Sequence, residues 1–148
     1  MKKVYLDVCA LCRPYDDQTY TRIHLETTAV KLILRAVENN LYTMVYSPVH
    51  KIEISSISDE VEREDLLYLI AKIAESMKQA GADTRKRAEN FVNNGFGVAD
   101  AAHLAYAEKA EAYFISCDDK LIKKCSTSSD IKIWAGSPII FCEEEDIK

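Results

Sequence analysis

The chain is poor in structure breakers, with 4 glycines and 3 prolines in 148 residues. That scarcity excludes collagen-like and linker-like classes. It has no apolar run of about 18 residues, so no segment is expected to cross a bilayer as a helix. Its first residues, Met-Lys-Lys-Val-Tyr-Leu-Asp7, lack the apolar stretch of a secretory signal. There is no excess of positive charge either: 19 Lys and Arg stand against 24 Asp and Glu, a net charge of −5. That argues against gripping nucleic acid by charge alone. Much of the acidity sits in the tail from Glu143 to Lys148, so a nucleic-acid substrate stays compatible if metal ions offset the acids locally. Gly95-Phe-Gly97 is too short for a phosphate loop, and no His-Glu-x-x-His run exists, which excludes a zincin. The five cysteines are odd in number, and a cytoplasmic setting with reduced thiols is expected.

What is present is a chain that is 48% hydrophobic, of a length suited to one domain over residues 1–148. Val4 to Leu6 reads as a buried strand ending at Asp7, and Cys9 to Tyr20 reads as a loop. Ile23, Thr27, Val30, Leu34 and Val37 follow the helical period, so a helix runs from Arg22 to about Glu38, stopped by Asn39-Asn40. Tyr42 to Tyr46 is a second strand. Ser47-Pro48 opens a short helix through Glu53 to about Ser56, with Ser as cap and Pro at the first position. Ser58 is expected to cap a long helix through Ile73. Further helices open at Asp83-Thr84 and run from Val98 to about Ala110. Ala112 to Cys117 is a strand ending at Asp118, followed by a short helix from Asp119 to Lys124. Ile131 to Trp134 reads as a strand, and Ser137 to Phe141 as another short strand or extended edge. Strands alternating with helices imply an α/β fold of three layers, α/β/α, with a mainly parallel central sheet.

Two strands end in an acid, at Asp7 and at Asp118. Ligands of open parallel sheets bind at the carboxyl ends of strands, near a switch in strand order. Glu53 lies early in the helix after the second strand, and Asp100 in the first turn of an alanine-rich helix. Each acid has an ordinary reading as well: Asp118 or Asp119 as a helix cap, Asp100 as a first-turn acid, Glu53 as a solvated one. Four converging acids would repel, by about 4 kcal/mol for a pair about 4 Å apart at an effective dielectric near 20. Such a cluster makes sense around a cation, and oxygen-only ligation suits Mg²⁺ or Mn²⁺.

Other constellations are weaker. Cys9-Ala-Leu-Cys12 has zinc or redox spacing but no second pair to complete a site, so structural or free thiols are expected. His50 with Glu53, and Asp100 with His103, are spaced to share a helix face and reach one metal, although a packing role is commoner for such histidines. Arg85-Lys86-Arg87 reads as a solvated face. Lys120, Lys123 and Lys124 follow Asp118 and read either as a solvated face or as charges that steer a phosphate backbone. Arg13, Tyr15 and Tyr20 follow Asp7 and offer a phosphate contact and surfaces for stacking on unpaired bases.

Read in order, these segments resemble a PIN domain. Val-Tyr-Leu-Asp7, Ser-Pro-Val-His-Lys-Ile-Glu53, Val-Ala-Asp100-Ala-Ala-His-Leu-Ala and Phe-Ile-Ser116-Cys117-Asp118-Asp119 carry the likeness, which spans nearly the whole chain. The stretch from Leu6 through Gln18, with Arg22 to Glu26 after it, is similar to a prokaryotic PIN subgroup. The resemblance implies a Mg²⁺- or Mn²⁺-dependent ribonuclease, with Asp7, Glu53, Asp100 and Asp118 as ligands and catalytic acids. Arg13 and Lys120 are the expected phosphate contacts. The partners expected are RNA, an antitoxin protein of the kind that restrains small prokaryotic members, and a second copy of the chain. In one departure, Val8 and Cys9 follow Asp7 where many members carry a Thr or Ser hydroxyl. Two other readings use the same acids. A haloacid-dehalogenase-like phosphatase would pair Asp7 with Asp118-Asp119 but wants an acid where Cys9 stands, and a PIN-like binding module would lack catalysis.

Overall fold

The apolar runs become strands, and the chain order of those strands sets where the site lies. A computed structural model describes residues 1–148. Its strands are β1 (Lys3–Leu6), β2 (Thr43–Tyr46), β3 (Ala74–Ser76), β4 (Tyr113–Ile115) and β5 (Ala135–Gly136). They form one sheet in the order β3-β2-β1-β4-β5, and every neighbouring pair is parallel. From β1 the chain builds outward through β2 and β3, then returns to add β4 on the other flank of β1. The switch in strand order therefore falls between β1 and β4. Leu6 registers with Ile115, and the Asp7 N–H donates to the Ile115 carbonyl at 2.8 Å. That register puts Asp7 and Asp118 at the same edge.

Helices cover both faces. They are α1 (Val8–Cys12), α2 (Thr21–Glu38), α3 (Pro48–Ser55), α4 (Glu60–Ile73), α5 (Ala82–Asn93), α6 (Val98–Ala110), α7 (Asp119–Thr127) and α8 (Pro138–Glu144), with a 3-10 turn at Arg13–Tyr15. The alternation of each strand sorts the core into two layers. Val4, Leu6, Met44, Tyr46 and Ile115 pack with residues of α1, α2, α4 and α8. Tyr5, Val45 and Phe114 pack on the opposite face with Phe91 of α5, the small side chains of α6, and Leu121 of α7. The alanines at 101, 105 and 107 are buried, which lets α6 approach the sheet closely. No helix is long and apolar enough to cross a membrane.

Several boundaries differ from the sequence reading. Residues after Asp7 form α1 and the 3-10 turn rather than a loop, because the Asp7 carboxylate caps the first N–H of α1. Asp59, not Ser58, caps α4, its side chain accepting from the Glu62 N–H. β3 was not expected. It is a short, exposed edge strand, and the Ala-Glu-Ser sequence carries no strand signal. The last strand is Ala135–Gly136 rather than Ile131 to Trp134. Trp134 still contributes a carbonyl to the Phe114 N–H, but its indole lies over Gly136, where a Cβ would come within 2.5 Å of the ring. Ser137 to Phe141 is helical, not extended. Ser137 caps α8 through the Ile140 N–H and Pro138 takes the first position, the same grammar that opens α3 at Ser47-Pro48.

Candidate metal centre

Four elements bring carboxylates to the carboxyl edge of the sheet. Asp7 ends β1 and is nearly buried, with two jobs for its oxygens. Oδ1 accepts the Val8 N–H at 2.8 Å, and Oδ2 accepts the Ser116 hydroxyl at 2.9 Å. The Ser116 oxygen in turn accepts the Asp118 N–H at 3.1 Å. Ser116 thus ties the exit of β1 to the exit of β4. The Cys9 sulfur lies 3.4 Å from Asp7 Oδ2 and 3.3 Å from Ser116 Oγ. Burial and the Asp7 charge push its thiol up to about 12, so it stays protonated and weakly nucleophilic. All five cysteines are free, as expected.

Glu53 projects from α3 and meets His103 Nε2 of α6 in a short hydrogen bond. That bond holds the Glu53 carboxyl below its ordinary range. His103 Nε2 is also 3.8 Å from Asp7 Oδ1. One ligand atom each from Asp7, Glu53 and His103 lie within 4.8 Å of one another. Asp100, half-buried in the first turn of α6, completes the crowd. Its carboxyl is raised first by burial and then by the charges of Asp7 and Asp118, with a smaller push from Glu53. Asp118 is exposed. Its Oδ1 caps α7 by accepting the Lys120 and Leu121 N–H groups at 3.1 and 3.2 Å, which leaves Oδ2 free. The capping reading of Asp118 is therefore correct and does not consume the whole carboxylate.

The two histidines behave differently. His50 shares a helix with Glu53 but turns away from it. Its Nδ1 accepts the Ser47 N–H at 3.0 Å and its Nε2 donates to the Leu6 carbonyl at 2.6 Å. Burial pushes it down to about 4, so it is neutral and structural. The expectation that His50 and Glu53 could bind one metal together is thereby corrected: both ring nitrogens are committed to backbone groups. His103 instead joins the acids, as the Asp100-to-His103 spacing allows. Its Nδ1 is 2.6 Å from the Tyr5 hydroxyl, itself 2.7 Å from Ser47 Oγ.

The basic residues divide as well. Arg13 donates to Glu26 at 3.0 Å and to Asp16 at 2.8 Å, so its guanidinium is already held. Glu26 is buried between Arg13 and Arg22, whose Nε lies 3.7 Å away, and Arg22 clamps Asp119 with two bonds. Asp119 thus serves a strap between α2 and α7 and does not join the acids. Lys120 is exposed beside Asp118. Arg87, expected on a solvated face, is paired with Glu108 and Asp130. Tyr20 is largely exposed and Tyr15 partly so. The sequence reading missed Ser116, Tyr5, Ser47 and Glu26 as supports, since a hydroxyl or a buried acid becomes a partner only when strands distant in sequence are adjacent.

Donors of this kind fit a divalent cation. Oxygens and an imidazole nitrogen around one ion at about 2.1 Å stand about 3 to 4 Å apart; His103 Nε2 and Asp7 Oδ1, 3.8 Å apart, match that spacing, whereas Glu53 and His103 are hydrogen-bonded directly and would have to part to admit an ion. No arginine or lysine forms an ion pair with Asp7, Glu53, Asp100 or Asp118.

No family model and no curated protein matches this sequence. Among solved structures, the crystal structure of FitAcB from Neisseria gonorrhoeae is similar, with a TM-score of 0.56 over 91% of this chain and 97% of that chain, at 13% sequence identity. A likeness at that identity speaks to the fold. With the all-parallel order β3-β2-β1-β4-β5 and helices on both faces, the chain has a PIN-like three-layer α/β/α fold, and Asp7, beside Glu53 and His103, stands at its switch point.

Proposed function

We propose that the chain is a metal-dependent ribonuclease that hydrolyses RNA phosphodiesters, with Asp7, Glu53, Asp100 and Asp118 as its catalytic and metal-holding acids. The observation that carries the reading is the meeting of Asp7, Glu53 and His103 within 4.8 Å, with Asp100 set among the charges of Asp7, Asp118 and Glu53. Mg²⁺ or Mn²⁺ bound there would polarise a phosphoryl oxygen and lower the pKa of a water. The chain's own residues do the positioning. Ser116 and the Val8 N–H fix both oxygens of Asp7, and the His103 contact aims Glu53 inward. Asp118 offers its free oxygen from a cap that anchors its backbone. Glu53, the most exposed of the pair with His103, also suits the ordering of an attacking water. Lys120 is free to meet a substrate phosphate, whereas the Arg13 guanidinium is held by Glu26 and Asp16 through Nε and Nη1 and has Nη2 left to offer. Tyr20 offers an aromatic face for an unpaired base.

In this reading the chain acts in a cytoplasm, and an antitoxin protein or a second copy of the chain is its protein partner. A small upstream gene for a DNA-binding protein would accord with the antitoxin.

The test is a cleavage assay on protein stripped with EDTA, using labelled single-stranded RNA and a phosphomonoester, each with and without Mn²⁺. Metal-dependent RNA cleavage is expected. Turnover of the monoester alone would point to the dehalogenase-like phosphatase, and inactivity on both to a binding module.

A further inference from the structure

We infer that His103 is itself a metal ligand, through Nε2, and that the centre therefore prefers Mn²⁺ to Mg²⁺. The inference rests on the metal-centre reading above and extends it from an all-oxygen site to a mixed one.

The geometry singles out this nitrogen. The His103 ring is almost fully buried, yet its Nε2 opens onto the carboxylates rather than onto the apolar core. It touches Glu53 and lies 3.8 Å from Asp7 Oδ1, a separation that two ligands of one ion can share. Asp7, Glu53 and His103 come from β1, α3 and α6, so three independent elements aim one atom each at a common point.

An imidazole can ligate through Nε2 only when its proton sits on Nδ1, and a buried Nδ1–H needs an acceptor. The Tyr5 oxygen is that acceptor, at 2.6 Å, and Tyr5 can pass its own hydrogen to Ser47 Oγ at 2.7 Å. The chain runs equally well the other way. With Tyr5 donating to Nδ1, Nε2 keeps its proton and donates it to Glu53, the arrangement suited to the metal-free protein. Two hydroxyls thus accommodate either tautomer at Nδ1, while at Nε2 the hydrogen bond to Glu53 parts to admit the ion. His50 shows what a purely structural histidine looks like in the same place. Its ring lies 5.0 Å from that of His103, but its nitrogens are fixed by a backbone N–H and a backbone carbonyl, and it cannot turn to a metal.

The consequence is selectivity. Carboxylates alone suit Mg²⁺ and Mn²⁺ alike, whereas an imidazole favours first-row transition ions over Mg²⁺. The experiment uses EDTA-treated full-length chain loaded with Mn²⁺ and reads nitrogen modulation in the electron spin echo, together with Mn²⁺ and Mg²⁺ affinities by calorimetry. The expected result is modulation from one coordinated imidazole, present in the parent and in His50→Gln and lost in His103→Gln. The His103→Gln change should weaken Mn²⁺ by about tenfold or more while weakening Mg²⁺ less, so the preference collapses. Tyr5→Phe should retain the nitrogen signal and bind Mn²⁺ about tenfold more weakly, as the loss of a supporting partner does. If His103→Gln does not fold, the parent and His50→Gln spectra decide. Mn²⁺ bound without a nitrogen signal would overturn the ligand assignment and leave the carboxylate centre standing. A parent that binds neither ion would overturn both.

Discussion

The two ends of the sheet are built on opposite principles. At the amino end, charges and rings are matched. Lys2 pairs with Glu145, which also accepts the Tyr42 hydroxyl, and Phe141 lies edge-on to Tyr42, Tyr113 and Trp134. At the carboxyl end, Asp7, Glu53, Asp100 and Asp118 crowd together without a lysine or arginine to neutralise them, and Asp100 is pushed up by burial and by its neighbours' charges. One end is matched for folding, and at the other Asp100 remains opposed by the charges of its neighbours. That division is expected where a protein keeps a place for a cation, because local strain at a functional site must be offset by packing elsewhere. A cleft does open at the amino end, but its acids, Glu144, Glu145 and Asp146, are matched by Lys2, Arg35 and Lys148 in the same lining.

The contrast can be broken most sharply at Asp7. Asp7→Asn should lower RNA cleavage by about a hundredfold or more, since loss of several kcal/mol of charge stabilisation is at least that large. Its thermal melt in EDTA should stay cooperative, because the loss of one repelling charge offsets the acceptor that the amide takes from the Ser116 hydroxyl. Cleavage at the parent rate would remove Asp7 from the centre. The matching change at the amino end, Phe141→Ala, should cost about 3–5 kcal/mol of stability, the range for deleting a fully buried aromatic ring, and denaturant melts measure it. A cost under about 1 kcal/mol would mean that the aromatic cluster does not hold that end.

Acid should weaken the metal-free fold through His50. Its folded pKa of about 4 lies below the usual 6.5, so the unfolded chain binds a proton in that window that the folded one does not. Stability is therefore present above about pH 6.5 and falls as pH drops toward 4, by on the order of 3 kcal/mol. Glu53, whose carboxyl is held low, acts in the same sense at the acid end. Asp100, whose carboxyl is raised, acts in the opposite one and relieves its repulsion as it protonates. His50→Gln should flatten the slope between pH 6.5 and 4.5 in urea melts, and an unchanged slope would refute the assignment.

A bound ion should narrow the difference between the ends. Mn²⁺ at about 100 times its dissociation constant adds about 2.7 kcal/mol to the fold, so melts in Mn²⁺ and in EDTA should separate, and coincident melts would deny the site. The smallest effect separates adjacent acids. Asp118→Asn should abolish metal-dependent cleavage. Asp119→Asn, which only loosens the Arg22 strap at the start of α7, should cost little activity and a fraction of a kcal/mol, about the value of a helix-end charge. The reverse outcome would shift the register by one residue.

The carboxyl end was the more legible in sequence. Apolar runs that stop at an acid, as in Tyr-Leu-Asp7 and Phe-Ile-Ser-Cys-Asp118, state where a buried strand meets a polar edge, and parallel pairing of β1 with β4 does the rest. The same reading handled Ser47-Pro48 as a helix start yet took Ser137-Pro138 as extended, because Ile139, Ile140 and Phe141 suggest a strand locally. Only the packing of Phe141 against Tyr42, just before β2, and Tyr113 of β4 explains why those residues are helical. β3 was illegible for a different reason: it pairs on one side only, and its residues are selected by neither burial nor propensity. Histidine was the hardest case. Spacing put both His50 and His103 near the acids, and only the partners of each ring nitrogen distinguish the one tied to backbone from the one facing the carboxylates.

The placement of Trp134 has a practical consequence for watching this molecule. It is the only tryptophan in the chain, its indole N–H donates to Glu144, and its ring is wedged between Gly136 and Phe141. Its emission therefore reports on the aromatic end and is blind to events among the acids. A fluorescence change on heating marks the loss of the β4–β5–α8 corner, whereas an ion that binds without altering that corner leaves the spectrum unchanged and must be followed by its own magnetism or heat.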